Sequence, residues 1–167
     1  MYKDKLRFSA SNFINPTRYI DLDLNTLDYT IVWQDKVSNF NPADYEKTFT
    51  YYESKDGTMV PLTYFHRKDL EINTETPIFL YGYGGYNISI RPSFSRKYVG
   101  WLELGGVVAI ANLRGGGELG KKWHNAGRLK EKQNVFDDFL YASKYLEANN
   151  VGTVSYTHLR AHETRGN

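Results

Sequence analysis

Two glycine-rich loops carry the residues best suited to chemistry. The first, YGYGGY at 81–86, follows a short apolar run, PIFL at 77–80. Glycine lets backbone come close to a substrate, and a tyrosine hydroxyl there can donate to an oxygen gaining negative charge. Tyr81, Tyr83 and Tyr86 are the tyrosines of this loop. A glycine turn packed by aromatic rings is the alternative, and spacing alone leaves both open. The second loop, RGGGELG at 114–120, runs into Lys121 and Lys122 and comes near a phosphate-cradling loop. That pattern fails twice: Lys122 stands where a magnesium-binding hydroxyl belongs, and Glu118 puts a carboxylate in the cradle. Gly82 and Gly84 begin a G-x-G-x-x-G, but Asn87 replaces the third glycine.

Other candidates are more local. His158 and His162 are four apart, with Glu163 beside them, so on a helix they would share a face and could clamp zinc. The segment around them offers no apolar face to hold a helix. Lys121, Lys122, Arg128, Lys130 and Lys132, with Trp123 and His124 among them, form a basic and aromatic stretch. Single-strand nucleic-acid binding uses such mixtures, but a solvated surface segment is the simpler reading. No G-x-S-x-G nucleophile elbow occurs anywhere. With no Cys, thiolate catalysis, disulfides and Cys-based zinc sites are impossible.

The elements that must position these loops follow from periodicity. PIFL and VVAIANL (107–113) are continuous apolar runs, as expected of parallel strands covered on both faces. Each ends in a glycine-rich loop, and in α/β sheets chemistry gathers at the carboxyl ends of strands. Between them, 98–104 predicts a helix. After them, 135–148 predicts the best helix of the chain, with Phe136, Phe139, Leu140, Ser143 and Leu146 on its inner face, Asn134 as N-cap, and Asp137 and Asp138 favoured by the helix dipole. Upstream, 47–67 predicts a hairpin turning at Asp56-Gly57, with Pro61 placing its second strand at an edge. Residues 6–24 predict two short strands about the Asn15-Pro16 turn, and 25–46 a connection with one short strand at 30–33.

Composition limits the function classes. The 167 residues carry 21 Lys plus Arg against 19 Asp plus Glu, a net charge of only +2, which argues against a general nucleic-acid binder. At 41% hydrophobic and 24% charged, the chain is ordinary for a globular domain. No apolar stretch approaches the ~20 residues of a bilayer span. The opening MYKDKLRFSASNF lacks the apolar core of a secretory signal.

Together, LYGYGGYNISI (80–90), AIANLRGGGELG (109–120), Trp123-His124 and KQNVFDDF (132–139) resemble the prolyl oligopeptidase family of serine peptidases, from about residue 6 to about residue 150. YESKDGTMVP (52–61) resembles the hairpin that opens that family's hydrolase domain. The resemblance implies an α/β fold, the N-terminal part of an α/β-hydrolase domain preceded by the last strands of a β-propeller. Its divisions would be 1–25 propeller, 26–46 linker, 47–153 hydrolase, and a 154–167 tail that resembles translated sequencing-adapter read-through.

The implied parent is a serine endopeptidase cleaving short peptides on the carboxyl side of proline. It would be monomeric, need no metal or organic cofactor, and have no nucleic-acid or membrane partner; family habit and the lack of Cys lean toward the cytoplasm. Carried over by position, Tyr83 is the oxyanion donor, partnered by the backbone N–H after the nucleophile. Tyr86 is a substrate-binding aromatic near the proline pocket, usually Phe, whose added hydroxyl needs a polar partner or an exit to solvent. Arg114 and Glu118 fall in a loop read as scaffold. The Ser, Asp and His of the triad would follow Gly152 and are absent, so the chain is expected to be inactive, with a flank of the 107–113 strand left unpaired. Oligopeptidase B, specific for basic residues, shares RGGGELG and is an alternative, as is a non-catalytic peptide- or nucleotide-binding module. GGYNISI and KQNVFDDF favour the prolyl branch.

Overall fold

The computed structural model describes residues 4–160, with backbone alone for 155–160. Two sheets form. The first is antiparallel, in the order β1 (Lys5–Ala10), β2 (Arg18–Asp23), β3 (Tyr29–Gln34). Asn12 shapes the β1–β2 turn, its Oδ1 accepting from the backbone N–H groups of Ile14 and Asn15. Arg7 clamps Asp21 across the strands with bonds of 2.6 and 2.8 Å. β3 is the short strand predicted at 30–33, and its pairing with β2 carries this sheet to Gln34.

The second sheet has five strands in the order β4 (Tyr45–Glu53), β5 (Met59–Arg67), β7 (Val107–Ala111), β6 (Pro77–Tyr83), β8 (Thr153–Arg160). The predicted hairpin is β4–β5. Its turn uses Gly57 at φ +83°, and the Ser54 N–H donates to the Thr58 carbonyl at 2.8 Å. Pro61 does not mark an edge, because β5 lies between β4 and β7. Its nitrogen faces β7 just where that ladder ends, and its carbonyl accepts from the Asn112 N–H at 3.0 Å. The missing donor therefore costs only half of one terminal pair.

β6, β7 and β8 run parallel. All five residues of β7 are buried. Its alternate side chains serve two cores. Val107, Ala109 and Ala111 pack with Leu62, Leu80, Val135 and Leu146 on one face, and Val108 and Ile110 with Phe65 and Leu102 on the other. The expected bare flank of this strand does not exist: β5 and β6 cover both of its sides, and the sheet ends instead at β4 and β8.

Helix α1 (Arg96–Glu103) covers one face and α3 (Gln133–Ala148) the other, with a short α2 (Lys121–Asn125) between them in sequence. The inner face of α3 matches the predicted one at Leu146, which is buried, and Phe139, which packs on the core, but differs elsewhere. Val135, Asp138, Ala142 and Leu146 are buried, while Phe136 and Leu140 are exposed. Asn134 is not the cap either. A 3-10 turn at Leu129–Glu131 leads straight into the helix, and Asn134 instead donates from Nδ2 to the Ala126 carbonyl at 2.9 Å.

After α3 the chain re-enters the sheet through Gly152. Its φ is +148°, and a Cβ built there would sit 2.1 Å from the Thr76 carbonyl oxygen. Neither strain has an escape, because the Thr153 N–H is bonded to that same carbonyl at 2.9 Å. Gly152→Ala is expected to lower the unfolding free energy by about 3 kcal/mol, measured by urea denaturation. A loss below about 1 kcal/mol would show that the junction yields easily.

Candidate active site

The two glycine loops meet at the carboxyl ends of β6 and β7. Tyr83 is the last residue of β6 and lies in register with Arg160, the last residue of β8. It is half-buried and lines a cleft of about 870 Å3 with Phe79, Tyr81, Ile88, Ile90 and Tyr98. Alternation along β6 explains this: Ile78, Leu80 and Gly82 are buried, while Phe79, Tyr81 and Tyr83 are half-buried. No histidine lines the cleft among the described residues.

Past Tyr83 the loop is closely confined. A Cβ on Gly84 would sit 2.4 Å from Val135 Cγ1 and 2.5 Å from the Arg114 carbonyl oxygen, so no other residue fits. Tyr86 and Asn87 are left-handed, at φ +51° and +57°. The Ile88 N–H closes the turn on the Gly85 carbonyl at 3.1 Å, and the Asn87 N–H reaches the Gly115 carbonyl at 3.2 Å. Tyr86 is 52% exposed and lies outside the cleft that Tyr83 lines; its hydroxyl has the exit to solvent its chemistry requires.

The second loop is scaffold. Gly115, Gly116, Gly117 and Gly120 donate their N–H groups to the carbonyls of Trp123, Leu113, Ile88 and Gly117. A phosphate cradle needs its glycine N–H groups free, and in this near-match to a phosphate-binding loop those four are already bonded within the protein. Glu118 Oε1 accepts from the Ile90 N–H at 2.8 Å and from Asn112 Nδ2 at 3.2 Å, tying this loop to the segment after Tyr86.

Arg114 is held deeper. Its side chain is 4% exposed, against 0% for Asp138. The guanidinium donates to Asp138 at 2.6 Å and to Asp56 at 2.5 Å, while the Arg114 N–H donates to Asp138 at 3.0 Å. Ser54 Oγ adds a bond to Asp138 at 2.6 Å. One side chain therefore joins the β4–β5 turn, the loop after β7 and helix α3. Burial works against the Arg114 charge, but the bonds to Asp138 and Asp56 outweigh it and raise its pKa. Burial, then the Asp138 charge, raises the Tyr52 pKa well above the ordinary phenol value.

The Asp56 carboxyl is lowered from 3.8 to about 2, first by its bond to Arg114 and against a smaller effect of burial. A depressed folded-state pKa means stability present above the unfolded value and lost as pH falls through the folded one. Between about pH 4 and pH 2 the chain is therefore expected to lose stability, and Asp56→Asn to lose less over that window, in unfolding midpoints taken against pH. Equal slopes would contradict the assignment, since the other acids with lowered pKa are common to both proteins.

The basic and aromatic stretch divides. Lys121, Lys122, Arg128 and Lys130 are exposed, as a solvated segment should be. Trp123 is buried and donates from Nε1 to the Leu113 carbonyl at 3.0 Å. His124 Nδ1 lies 2.7 Å from the Gly115 carbonyl, which can only accept, so that nitrogen carries the proton. Lys132 Nζ donates to the Gly84 carbonyl at 2.8 Å. His158 falls on β8, a strand, where the four-residue helical spacing does not apply, and His162 and Glu163 lie outside the described residues. Among the described residues no group of three or more His, Asp and Glu is placed to hold a metal.

Known proteins match this arrangement. The family model described as the prolyl oligopeptidase family covers residues 92–161. A prolyl endopeptidase of Elizabethkingia meningoseptica is 39% identical over 161 residues, 96% of this chain. The chain belongs to the prolyl oligopeptidase family. It spans 23% of that relative's length. Prolyl oligopeptidase B from Galerina marginata, solved bound to a 25mer macrocyclization substrate, superposes with a TM-score of 0.85 at 32% identity, over 95% of this chain and 23% of that one. Oligopeptidase B from Leishmania major gives 0.82 at 30% identity, over 95% and 22%. That family is one of peptidases.

Of the residues singled out from the sequence, Tyr83 lines the cleft, Tyr86 lies outside it, and Arg114 and Glu118 brace the second loop. Sequence reasoning missed Asp138 as an ion-pair partner and Lys132 as a loop ligand. For Asp138 a signal was present: Val135, Asp138, Ala142 and Leu146 recur at helical spacing, and an acid within such a row points inward.

Proposed function

We propose that the chain is the opening part of the catalytic domain of a serine endopeptidase that cleaves short peptides after proline, with the end of a propeller before it. The Tyr83 phenol is the side-chain donor to the oxyanion. The observation carrying this is positional: Tyr83 ends β6, third in chain order of the five-stranded sheet, in register with the end of β8. In α/β-hydrolases the loop after the third strand supplies an oxyanion donor, and a strand-to-helix turn at the top of the sheet supplies the nucleophile. A donor at that position lowers the barrier by binding charge that develops only in the transition state. Tyr86, on the same loop, is the aromatic offered to the substrate's proline region.

The chain holds no G-x-S-x-G elbow, and an oxyanion donor without nucleophile or base stabilises a state that nothing generates. On its own the chain is expected to release no chromophore from a succinyl-Gly-Pro amide. Placed in the Elizabethkingia relative in exchange for the matching region, residues 4–152 are expected to support that cleavage, with proline preferred over arginine. Turnover by the chain alone that a serine-directed phosphonate abolishes would overturn the reading. A hybrid preferring arginine would transfer it to the oligopeptidase B branch.

A further inference from the structure

Apart from the buried Arg114, Lys132 is the basic side chain around the two glycine loops placed least like a surface cation. It is half-buried, and its ammonium donates to the Gly84 carbonyl, the first carbonyl after Tyr83, at 2.8 Å. Hydrogen bonds from a charged donor are roughly twice as strong as neutral ones. The loop it holds has conformational strain to offset, because Tyr86 and Asn87 are consecutive left-handed residues and neither is glycine. Such backbone persists only where its surroundings over-determine it. Several contacts do so here, three of them around Gly84 and Asn87. The wall of Val135 and the Arg114 carbonyl closes on Gly84, the Asn87 N–H bonds to Gly115, and Lys132 grips Gly84 itself. Of these, the last acts through a charge, on the Gly84–Gly85 peptide one removed from Tyr83.

The anchor of Lys132 is also firm. It stands where a 3-10 turn passes into α3, and its N–H donates to the Leu129 carbonyl at 3.2 Å. Two turns further along, Asp138 of the same helix is locked to Arg114. The cation is thus presented from an element fixed to the loop on the other side of Gly84.

We propose that Lys132 is a positioning residue: its ammonium holds the Gly84 carbonyl and so fixes the backbone from which the Tyr83 phenol projects. Its catalytic meaning rests on the oxyanion role proposed for Tyr83; the geometric claim stands apart from it.

The test uses the full 167-residue chain. Tyrosines are labelled with 13C at Cζ, and the Tyr83 resonance is identified by its loss in Tyr83→Phe. Lys132→Met keeps the aliphatic stem and removes the charge. It is expected to shift or broaden the Tyr83 resonance and to move the Gly85 amide, while the Tyr45 and Tyr52 resonances of the core stay in place. Lys132→Arg is expected to bring Tyr83 back toward its original position, a rescue that loss of packing would not give. Tyr83 and Gly85 signals unchanged in Lys132→Met overturn the proposal. Should Lys132→Met not fold, the unsubstituted chain decides. Its Lys132 ammonium protons are expected to exchange at least about tenfold more slowly than those of the exposed Lys121 and Lys130, and equal rates overturn the proposal. The two readings fail separately. Full turnover by a hybrid enzyme carrying Tyr83→Phe would remove the oxyanion role and leave the spectroscopic result standing.

Discussion

Asp138→Ala is expected to cost the chain about 3–5 kcal/mol of stability, the range for breaking a buried ion pair from one side. The carboxylate is fully buried and is bonded to the Arg114 guanidinium, the Arg114 N–H and the Ser54 hydroxyl. Truncation leaves a guanidinium that is only 4% exposed, with Asp56 as its one remaining carboxylate among the described residues. Two donors, the Arg114 N–H and Ser54 Oγ, lose their acceptor in a place water does not reach. Desolvation already opposes the Arg114 charge, so the missing partner cannot be replaced by local rearrangement. The urea midpoint should fall with an unchanged m-value. Replacing both partners by apolar residues of similar volume, Arg114→Met with Asp138→Leu, should recover most of the loss. A single substitution costing under about 1 kcal/mol would mean that the network is solvated and not structural.

The same residue shows how far the sequence could be read. The position of α3 was legible from its periodicity, but its face only in part. Phe136 and Leu140 drew the apolar stripe outward, because large side chains dominate a hydropathy pattern. The row that packs on the sheet includes a charged member whose partner, Arg114, lies 24 residues away in sequence. No local pattern reports a pairing of that kind. The β4–β5 hairpin was legible because Asp56-Gly57 is a local backbone requirement flanked by alternating strands. β7 was legible because five consecutive buried residues leave an unbroken apolar run. β3 was legible as a short strand at 30–33, but all six of its residues are exposed, so no alternation showed that it extends the first sheet. Pro61 misled because a proline rule written for edges also permits the last residue of a ladder. In the site, Tyr83 and Tyr86 came from motif resemblance. The Lys132 contact joins residues 48 apart and is a product of the tertiary fold alone.

Tyr83→Phe carries the second large effect. The substitution removes one oxygen and leaves the ring, which lines the cleft together with Phe79, Tyr81 and Tyr98. Tyr83 is half-buried and ends its strand, so the fold should lose little. The chemistry should lose much, because a neutral donor aimed at a developing oxyanion acts mainly in the transition state. Removing one such donor typically lowers kcat by about 10²–10³, which is about 3–4 kcal/mol of barrier. Binding of the ground-state amide, whose carbonyl carries far less charge, should change little, so KM should stay within about threefold. Tyr86→Phe, at an exposed position that does not line the cleft, should instead leave kcat within about threefold.

The decisive measurement is steady-state cleavage of a succinyl-Gly-Pro amide by the Elizabethkingia hybrid carrying residues 4–152 of this chain, with and without Tyr83→Phe. A fall in kcat of about two to three orders of magnitude at nearly constant KM is the predicted result. An unchanged kcat, or a loss confined to KM, would contradict the placement of the Tyr83 hydroxyl at the reacting carbonyl.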